Sequence, residues 1–293
     1  LSVGFAFKTG LFNIGTPGQF IIGAFAAVYV GVKWTFLPGS IHWLVAILAA
    51  FAAGGLWAVI PGVMKAYLNV NEVISSIMMN YIGMYLVNYS VSLVLFDALR
   101  NQSLPVASTA VIPKMGFDKI FTGSPANGGF VIAILFVILI YIILNKTSFG
   151  YEMKACGFNK DASKYAGINE KRNIILSMVI AGALAGVGGG LLYLSGSGKF
   201  IEVVDVLPAE GFNGIPVALL GLSNPIGVLF AGLFIAYLNV GGNAMQQFGF
   251  IPQIVDIIIS CIIYCSALSL MIKVWLSKRR KTKELGTAKK EGE

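Results

Sequence analysis

Between residues 12 and 19 the sequence reads FNIGTPGQ, and between 210 and 227 it reads EGFNGIPVALLGLSNPIG. Each stretch sets an aromatic residue and an asparagine beside glycine, Phe12-Asn13 and Phe212-Asn213, and follows them with a proline and an apolar run. The side chains of Asn13, Thr16, Gln19 and Asn213 donate and accept hydrogen bonds but carry neither a strong nucleophile nor a group that titrates near neutrality, so they suit contact with a polar solute rather than bond making. Gly15, Pro17 and Gly18 interrupt regular helix in the first stretch. In the second, Phe212-Asn213-Gly214 and Asn224-Pro225 are expected to bracket a short apolar half-helix. Taken one at a time, these residues fit tight turns and close packing equally well; as two matching interruptions they point to a solute pathway.

A third polar stretch, NVNEVISSIMMNYIGMYLVNYSVS, covers residues 69–92. Asn71 and Glu72 stand where an apolar segment begins, which suits helix capping and a carboxylate near the positive end of the helix dipole. Ser76 and Asn80 follow Glu72 at four and eight residues, so the three share a helix face that can bind a neighbouring helix or touch solute. Helix gluing suits Glu72 better, and Asn80 fits either role. Asp256 lies about one turn beyond Pro252 and reads as an interfacial acid, since the facing apolar segments offer it no basic partner. The chain has a single histidine, His42, at the end of an apolar run, and three cysteines without disulfide or zinc spacing. Nucleophilic catalysis and metal binding therefore have no residues to work with.

What positions these residues is a set of apolar helices. Hydrophobic residues make up 57% of the chain and charged residues 12%, with a mean hydropathy of +0.81; soluble domains carry about 25% charged residues. Low-charge runs at 17–32, 41–63, 73–96, 128–144, 173–194, 224–240 and 251–276 are mostly near the ~20 residues needed to span hydrocarbon. They lack period-two alternation and are too long for barrel strands. The fold class is all-α, a polytopic transmembrane helical bundle with discontinuous or re-entrant helices. Bent backbone survives in hydrocarbon only inside protein or beside a watery cavity, which is why the two interruptions carry weight. Gly182, Gly186 and Gly190 form a GxxxGxxxG ridge, and AAFAAGG at 49–55 offers a second small-residue surface for close helix approach.

The transmembrane domain is expected over 1–276, followed by a basic tail, SKRRKTKELGTAKKEGE, at 277–293. A polybasic stretch after a last span reads as a topology determinant resting on anionic lipid, not as a nucleic-acid site. If the tail is cytoplasmic, five of the 21 basic residues (Lys33, Arg100, Lys114, Lys119, Lys199) fall outside and the other 16 inside, as the positive-inside rule demands. That topology makes 211–222, too short for a regular span, pass down or dip and return before 224–240. The chain opens at Leu1 inside an apolar run, so further helices are expected upstream.

The longest inside loop, NKTSFGYEMKACGFNKDASKYAGINEKRN, covers 145–173. Its middle, Asn159 to Tyr165, is expected to form a short surface helix, with Asp161 near the start, Lys160 and Lys164 four apart, and Gly167 as the stop. A helix projecting from a membrane domain is a handle for a cytoplasmic partner.

GFNKDASKYAGI, 157–168, resembles the coupling-helix signature G-x-N-x-x-A-x-x-x-G-I of permease subunits in ABC importers of the ribose, nucleoside and branched-chain amino acid type. LFNIGTPGQFIIGAFAA, LNVNEVISSIMMNYI and GFNGIPVALLGLSNPIGVLFAGL are similar to further blocks of that family, most of all in its nucleoside and simple-sugar branch. The resemblance runs from residue 11 to about 276 and departs at the start, where members carry additional helices.

It implies a permease subunit that pairs with a second permease and receives solute from an extracytoplasmic substrate-binding lipoprotein in a bacterial cell membrane. Through Gly157, Asn159, Lys160, Ala162, Tyr165, Ala166 and Gly167 it would seat on an ABC ATPase subunit. ATP and Mg would then be cofactors of that partner, and this chain, with no G-x-x-x-x-G-K-[ST], has no phosphate cradle of its own. On this reading the substrate pathway comprises Phe12, Asn13, Gly15, Gln19, Asn80, Phe212 and Asn213. The amides would meet ribose or base edges of a nucleoside, or the hydroxyls of a simple sugar, and the phenylalanines would offer a ring face. An ion-coupled secondary transporter is the rival from another class, and it lacks a convincing intramembrane ion site.

Overall fold

A computed structural model describes residues 1–120, 126–249, 251, 253–265 and 268. The basic tail at 277–293 lies outside the described residues. In chain order the helices are α1 (Ser2–Lys8), α2 (Thr16–Lys33), α3 (Gly39–Leu68), α4 (Glu72–Val94), α5 (Phe117–Ile120), α6 (Gly129–Lys146), α7 (Ser148–Phe158), α8 (Lys160–Tyr165), α9 (Glu170–Tyr193), α10 (Ala209–Leu220) and α11 (Pro225–Met245). A further apolar helix, α12 (Gln253–Cys265), follows. Among the described residues five helices, α3, α4, α6, α9 and α11 with its extension to Phe248, are long and apolar enough to cross a membrane.

Asparagine side chains start four of the helices. Asn71 accepts the Val73 amide ahead of α4, Asn159 the Ala162 amide ahead of α8, Asn169 the Arg172 amide ahead of α9, and Asn224 the Ile226 amide ahead of α11. Each satisfies one of the amides that the first turn leaves without an intrahelical partner. The turn from α3 into α4 is tied by Lys65, whose ammonium lies 2.8 Å from the Glu72 carboxylate.

The centre of the bundle is α2, α3 and α9, and it is built from small residues. Two-thirds (67%) of the spanning window of α9 is buried, against 22% for α6 and α11. The ridge of α9 meets the small-residue surface of α3: a Cβ on Gly186 would collide with the Ala50 carbonyl, and one on Gly54 with the Gly182 carbonyl. From the other side, a Cβ on Gly23 of α2 would run into the Gly186 backbone. Gly186→Val is therefore expected to lower the melting temperature of the purified protein sharply, since overpacking a close contact costs roughly 1–3 kcal/mol even where side chains can give, and here the obstacle is backbone. Gly188→Ala should melt like the parent protein, because its new methyl would sit 3.7 Å from the Phe20 ring.

The end opposite α8 is closed by irregular chain. Strands β1 (Phe96–Asp97) and β2 (Gln102–Ser103) pair antiparallel, with Phe96 opposite Ser103. Ser103 then binds the segment after α9, its amide to the Ile201 carbonyl at 2.8 Å and its hydroxyl to the Ile201 amide. His42 is buried at this end and bridges Thr109 and the Val30 carbonyl, a packing role.

Two expectations need correction. Phe212, Asn213 and Gly214 do not interrupt the chain ahead of a half-helix; they lie inside α10, which starts after Pro208. Glycine weakens a helix without forbidding it, and the proline with an extended backbone one turn earlier already fixes the entry. The true irregularity inside α10 is Pro216, which has no amide to give the Phe212 carbonyl. The 145–173 loop, read as a single short helix, also holds α7, capped by the Thr147 hydroxyl. The short helix itself lies at Lys160–Tyr165 with Gly167 at φ +77, a left-handed stop. Asp256 falls in the first turn of α12, and all three cysteines are free.

Candidate functional site: two chain breaks beside a cleft

The chain between α1 and α2 is non-helical from Leu11 to Gly15 and is held by amide side chains. Asn13 donates to the Gln19 side-chain oxygen at 2.9 Å, Gln19 returns a bond to the Asn13 oxygen, and the same oxygen accepts the Gly15 amide. Asn80 reaches across from α4: its oxygen accepts the Gly18 amide at 2.9 Å and its nitrogen donates to the Ile14 carbonyl at 3.0 Å. Asn13, Gln19 and Asn80 are all at most 1% exposed. The break is thereby closed from within the chain, and every amide the sequence singled out there already has partners.

Helix α10 docks on that closed break. A Cβ at Gly211 would overlap Pro17, so the two interruptions, separated by about two hundred residues in sequence, touch in space. Phe212 and Asn213 point away, onto an exposed face, and Phe12 is also exposed, stacked on Phe7 with ring centroids 5.0 Å apart. The structure thus brings Asn13, Gly15, Gln19 and Asn80 into one cluster, sets α10 against it, and leaves the three remaining pathway candidates outside that cluster.

A cleft of about 410 Å³ opens where α10 begins, between Ile21 of α2, Tyr193 at the end of α9, and the segment 198–210. That volume is in the range of small-molecule sites. Lys199 and Glu210, neither of which the sequence singles out for this site, form an ion pair of 3.1 Å on the lining of the cleft. Burial works to raise the Glu210 carboxyl, but its backbone hydrogen bond and Lys199 outweigh this and hold it below the ordinary glutamate range. The available signal was a lone acid at the head of a Gly- and Pro-rich stretch. A second cleft of 260 Å³, lined by Thr16, Phe20, Gly211 and Gly214, shares Glu210 and lies toward α6 and α9.

At the other end, α7 and α8 connect to the break by contact. The Gly157 backbone abuts Thr9 and Gly10, and Gly10, at φ +75, has no room for a side chain there. Thr9 also shares a short hydrogen bond with Ser177 of α9. Three residues separate Thr9 from Asn13, so α7 presses on the chain that leads directly into the break. Beyond this contact Phe158 and Tyr165 project from the bundle, the latter 95% exposed, with Ala162 and Ala166 on the same outlying turn. Among the described residues no group of three or more His, Cys, Asp or Glu could hold a metal ion.

A bundle of membrane-crossing helices with a short helix docked on an amide-held break has the build of a transport protein's membrane domain, and the chain is a multi-pass membrane protein. Residues 1–267 match the family described as branched-chain amino acid transport system / permease component, and the chain belongs to it. It is a transport permease rather than an enzyme. The chain is 40% identical to the guanosine ABC transporter permease protein NupP of Bacillus subtilis over 282 residues, 96% of this chain and 80% of the relative. It is 36% identical to the nucleoside ABC transporter permease protein NupB of Lactococcus lactis over 100% of this chain and 82% of the relative. A glucose ABC transporter permease of Haloferax volcanii is 32% identical over 90% of this chain and 70% of its own length. No solved structure matches the chain.

Proposed function

We propose that this chain is the membrane-spanning subunit of an ATP-driven importer of nucleosides, working by alternating access in a bacterial cell membrane with its C-terminus in the cytoplasm. A second permease completes the pathway, an extracytoplasmic lipoprotein delivers solute, and a separate ABC ATPase, holding ATP and Mg, engages α8 and its ends through Asn159, Lys160, Ala162, Tyr165, Ala166 and Gly167, while Gly157, at the end of α7, is set against Thr9 and Gly10 instead. The observation that carries the coupled mechanism is the Gly157 contact on Thr9 and Gly10, which joins the end of α7, next to α8, to the chain leading into the Asn13 break. Closure of the ATPase pair moves α8; α7 transmits the displacement to residues 9–12; the break around Asn13, Gly15, Gln19 and Asn80 loosens, and α10 shifts with Pro17 to widen or close the cleft. Phe12, Phe212 and Asn213, exposed beside this moving element, are then the side chains nearest to meet solute.

The nucleoside assignment draws on the two relatives that bear that name over nearly the whole chain. A simple sugar is the second reading, favoured by the glucose permease. The test is uptake of labelled guanosine and glucose into proteoliposomes holding the full transporter. ATP-dependent guanosine uptake supports the reading, whereas uptake that continues without ATP, or glucose alone, overturns it. If α8 is the handle, Phe158→Ala with Tyr165→Ala should weaken capture of the ATPase by about tenfold or more, the loss expected of two aromatic anchors, with no change in the melting temperature of the isolated permease.

A further inference from the structure

The 410 Å³ cleft has one wall that is tied down and one that is not. Its rim, the chain from 198 to 205, is fastened to the neighbouring chain at several points. Ser103 binds both backbone groups of Ile201, and Asn101 donates to the Val203 carbonyl and accepts the Val203 amide. Asn88 of α4 donates to the Val204 carbonyl at 2.9 Å and to Asp205 at 3.2 Å. Facing this rim is the first turn of α10, which begins after Pro208 and carries Glu210. Among the described residues the one side-chain bond from the rim to α10 is the Lys199–Glu210 ion pair. Both side chains line the cleft, at 51% and 43% exposure, and an ion pair in contact with water does little to hold two elements together. A solute that offers a partner to each end can therefore take its place.

The lining also supplies ring faces. Tyr193 and Phe200, both partly buried, border the cleft, and Tyr193 is set against Phe20 of α2 with ring centroids 6.5 Å apart. Aromatic faces stack on any base, so the rings favour a planar solute without choosing among bases. The choice falls to the charged pair. A carboxylate accepts hydrogen bonds and donates none, and an ammonium donates and accepts none. Side by side, 3.1 Å apart, they complement a base edge on which an acceptor stands beside donors. Guanine has that edge: O6 accepts, while N1–H and the N2 amino group beside it donate together to the two oxygens of one carboxylate. Hypoxanthine keeps O6 and N1–H but lacks the second donor.

We propose that this cleft, at the end of the bundle opposite α8, is where the permease receives its solute, and that Lys199 and Glu210 exchange their bond to each other for a guanine base edge. Lys199 donates to O6, and Glu210 accepts N1–H and the N2 amino group. The inference rests on the nucleoside reading above and adds the base preference and the residues that set it. Occupation of the site also cuts the link between the rim and α10. The arriving solute itself thereby frees α10 for the shift that opens the path.

Uptake of guanosine and of inosine by the full transporter in proteoliposomes with ATP tests this. The lipoprotein and the second permease are the same in every sample, so a change in the guanosine-to-inosine ratio belongs to the substituted residue. The ratio compares two solutes in one preparation and does not depend on how much complex assembles. Glu210→Gln, which keeps the size of the side chain but accepts with one oxygen, should lower the ratio about tenfold, the loss expected of one hydrogen bond to a charged group. Glu210→Asp, with both oxygens, should keep it nearer the parent value. Lys199→Met should lower uptake of both solutes and leave the ratio as it was, because both carry O6. A parent transporter that imports neither nucleoside overturns the nucleoside reading and this inference with it. A parent that imports them, with a ratio that Glu210→Gln leaves unchanged, overturns this inference alone and makes the ion pair a strut.

Discussion

Asn80→Leu is expected to destabilise the protein by about 2–6 kcal/mol. The side chain satisfies two backbone groups at once, the Gly18 amide and the Ile14 carbonyl, and each buried group left without a partner costs about 1–3 kcal/mol. The Gly18 amide is buried and cannot turn to water, the Ile14 carbonyl is half-buried, and neither has another side chain to turn to, because Asn13 and Gln19 are occupied with each other. Ser76, one turn below on the same helix, supplies the contrast. Its hydroxyl is buried with no partner, so Ser76→Ala removes an unsatisfied group and should leave the melting temperature unchanged or raise it. Thermal melting of the three purified proteins reads both effects. The same experiment separates the two roles open to Asn80: a variant that melts like its parent yet fails to import makes it a solute contact, and one that melts early makes it the clasp on the break.

The difference between these two residues shows where sequence reading stops. The alternation of apolar runs and breaks was enough to locate α2, α3, α4, α6, α9 and α11, because a span is a composition sustained over many residues. The glycine ridge on α9 and its acceptor surface on α3 were legible for a related reason: close approach needs small side chains at a fixed interval, and nothing else produces that interval as economically. Asn13, Gln19 and Asn80 could be singled out by type and depth, but whether an amide faces solute or a bare backbone group depends on which distant segment lies opposite. Ser76 and Asn80 share a face and a period, and the 14–18 chain lies against both, Gly15 beside Ser76; their fates differ because that chain turns a backbone amide and carbonyl toward Asn80 and neither toward the Ser76 hydroxyl. The start of α10 was misplaced for the opposite reason, since glycine and asparagine read as breakers on any local scale while the fold's entry was already fixed at Pro208.

Gly157→Val is expected to separate ATP hydrolysis from uptake. Gly157 lies at the foot of α7, where its backbone meets Thr9 and Gly10 with no intervening side chain. A branched side chain there forces the two segments apart, and Gly10, in a left-handed conformation, cannot turn its peptide to follow without leaving that turn. The handle itself is unaffected: α8 keeps its Asn159 cap and its outward Phe158 and Tyr165, so the ATPase still binds and cycles. What is lost is the transmission of that cycle to residues 9–13, and a gap of this kind acts on a bistable element rather than on a graded one, since packed contacts switch between discrete arrangements. Uptake in proteoliposomes should fall at least about tenfold, a barrier increase of about 1.4 kcal/mol, while ATP hydrolysis by the same complex stays near the parent rate. Gly157→Ala, with a smaller group at the same place, should fall between the two. If hydrolysis and uptake decline together, the substitution has dislodged the ATPase, and the route from α8 to the break does not run through this contact. If both persist, Thr9 and its bond to Ser177 of α9 carry the motion instead.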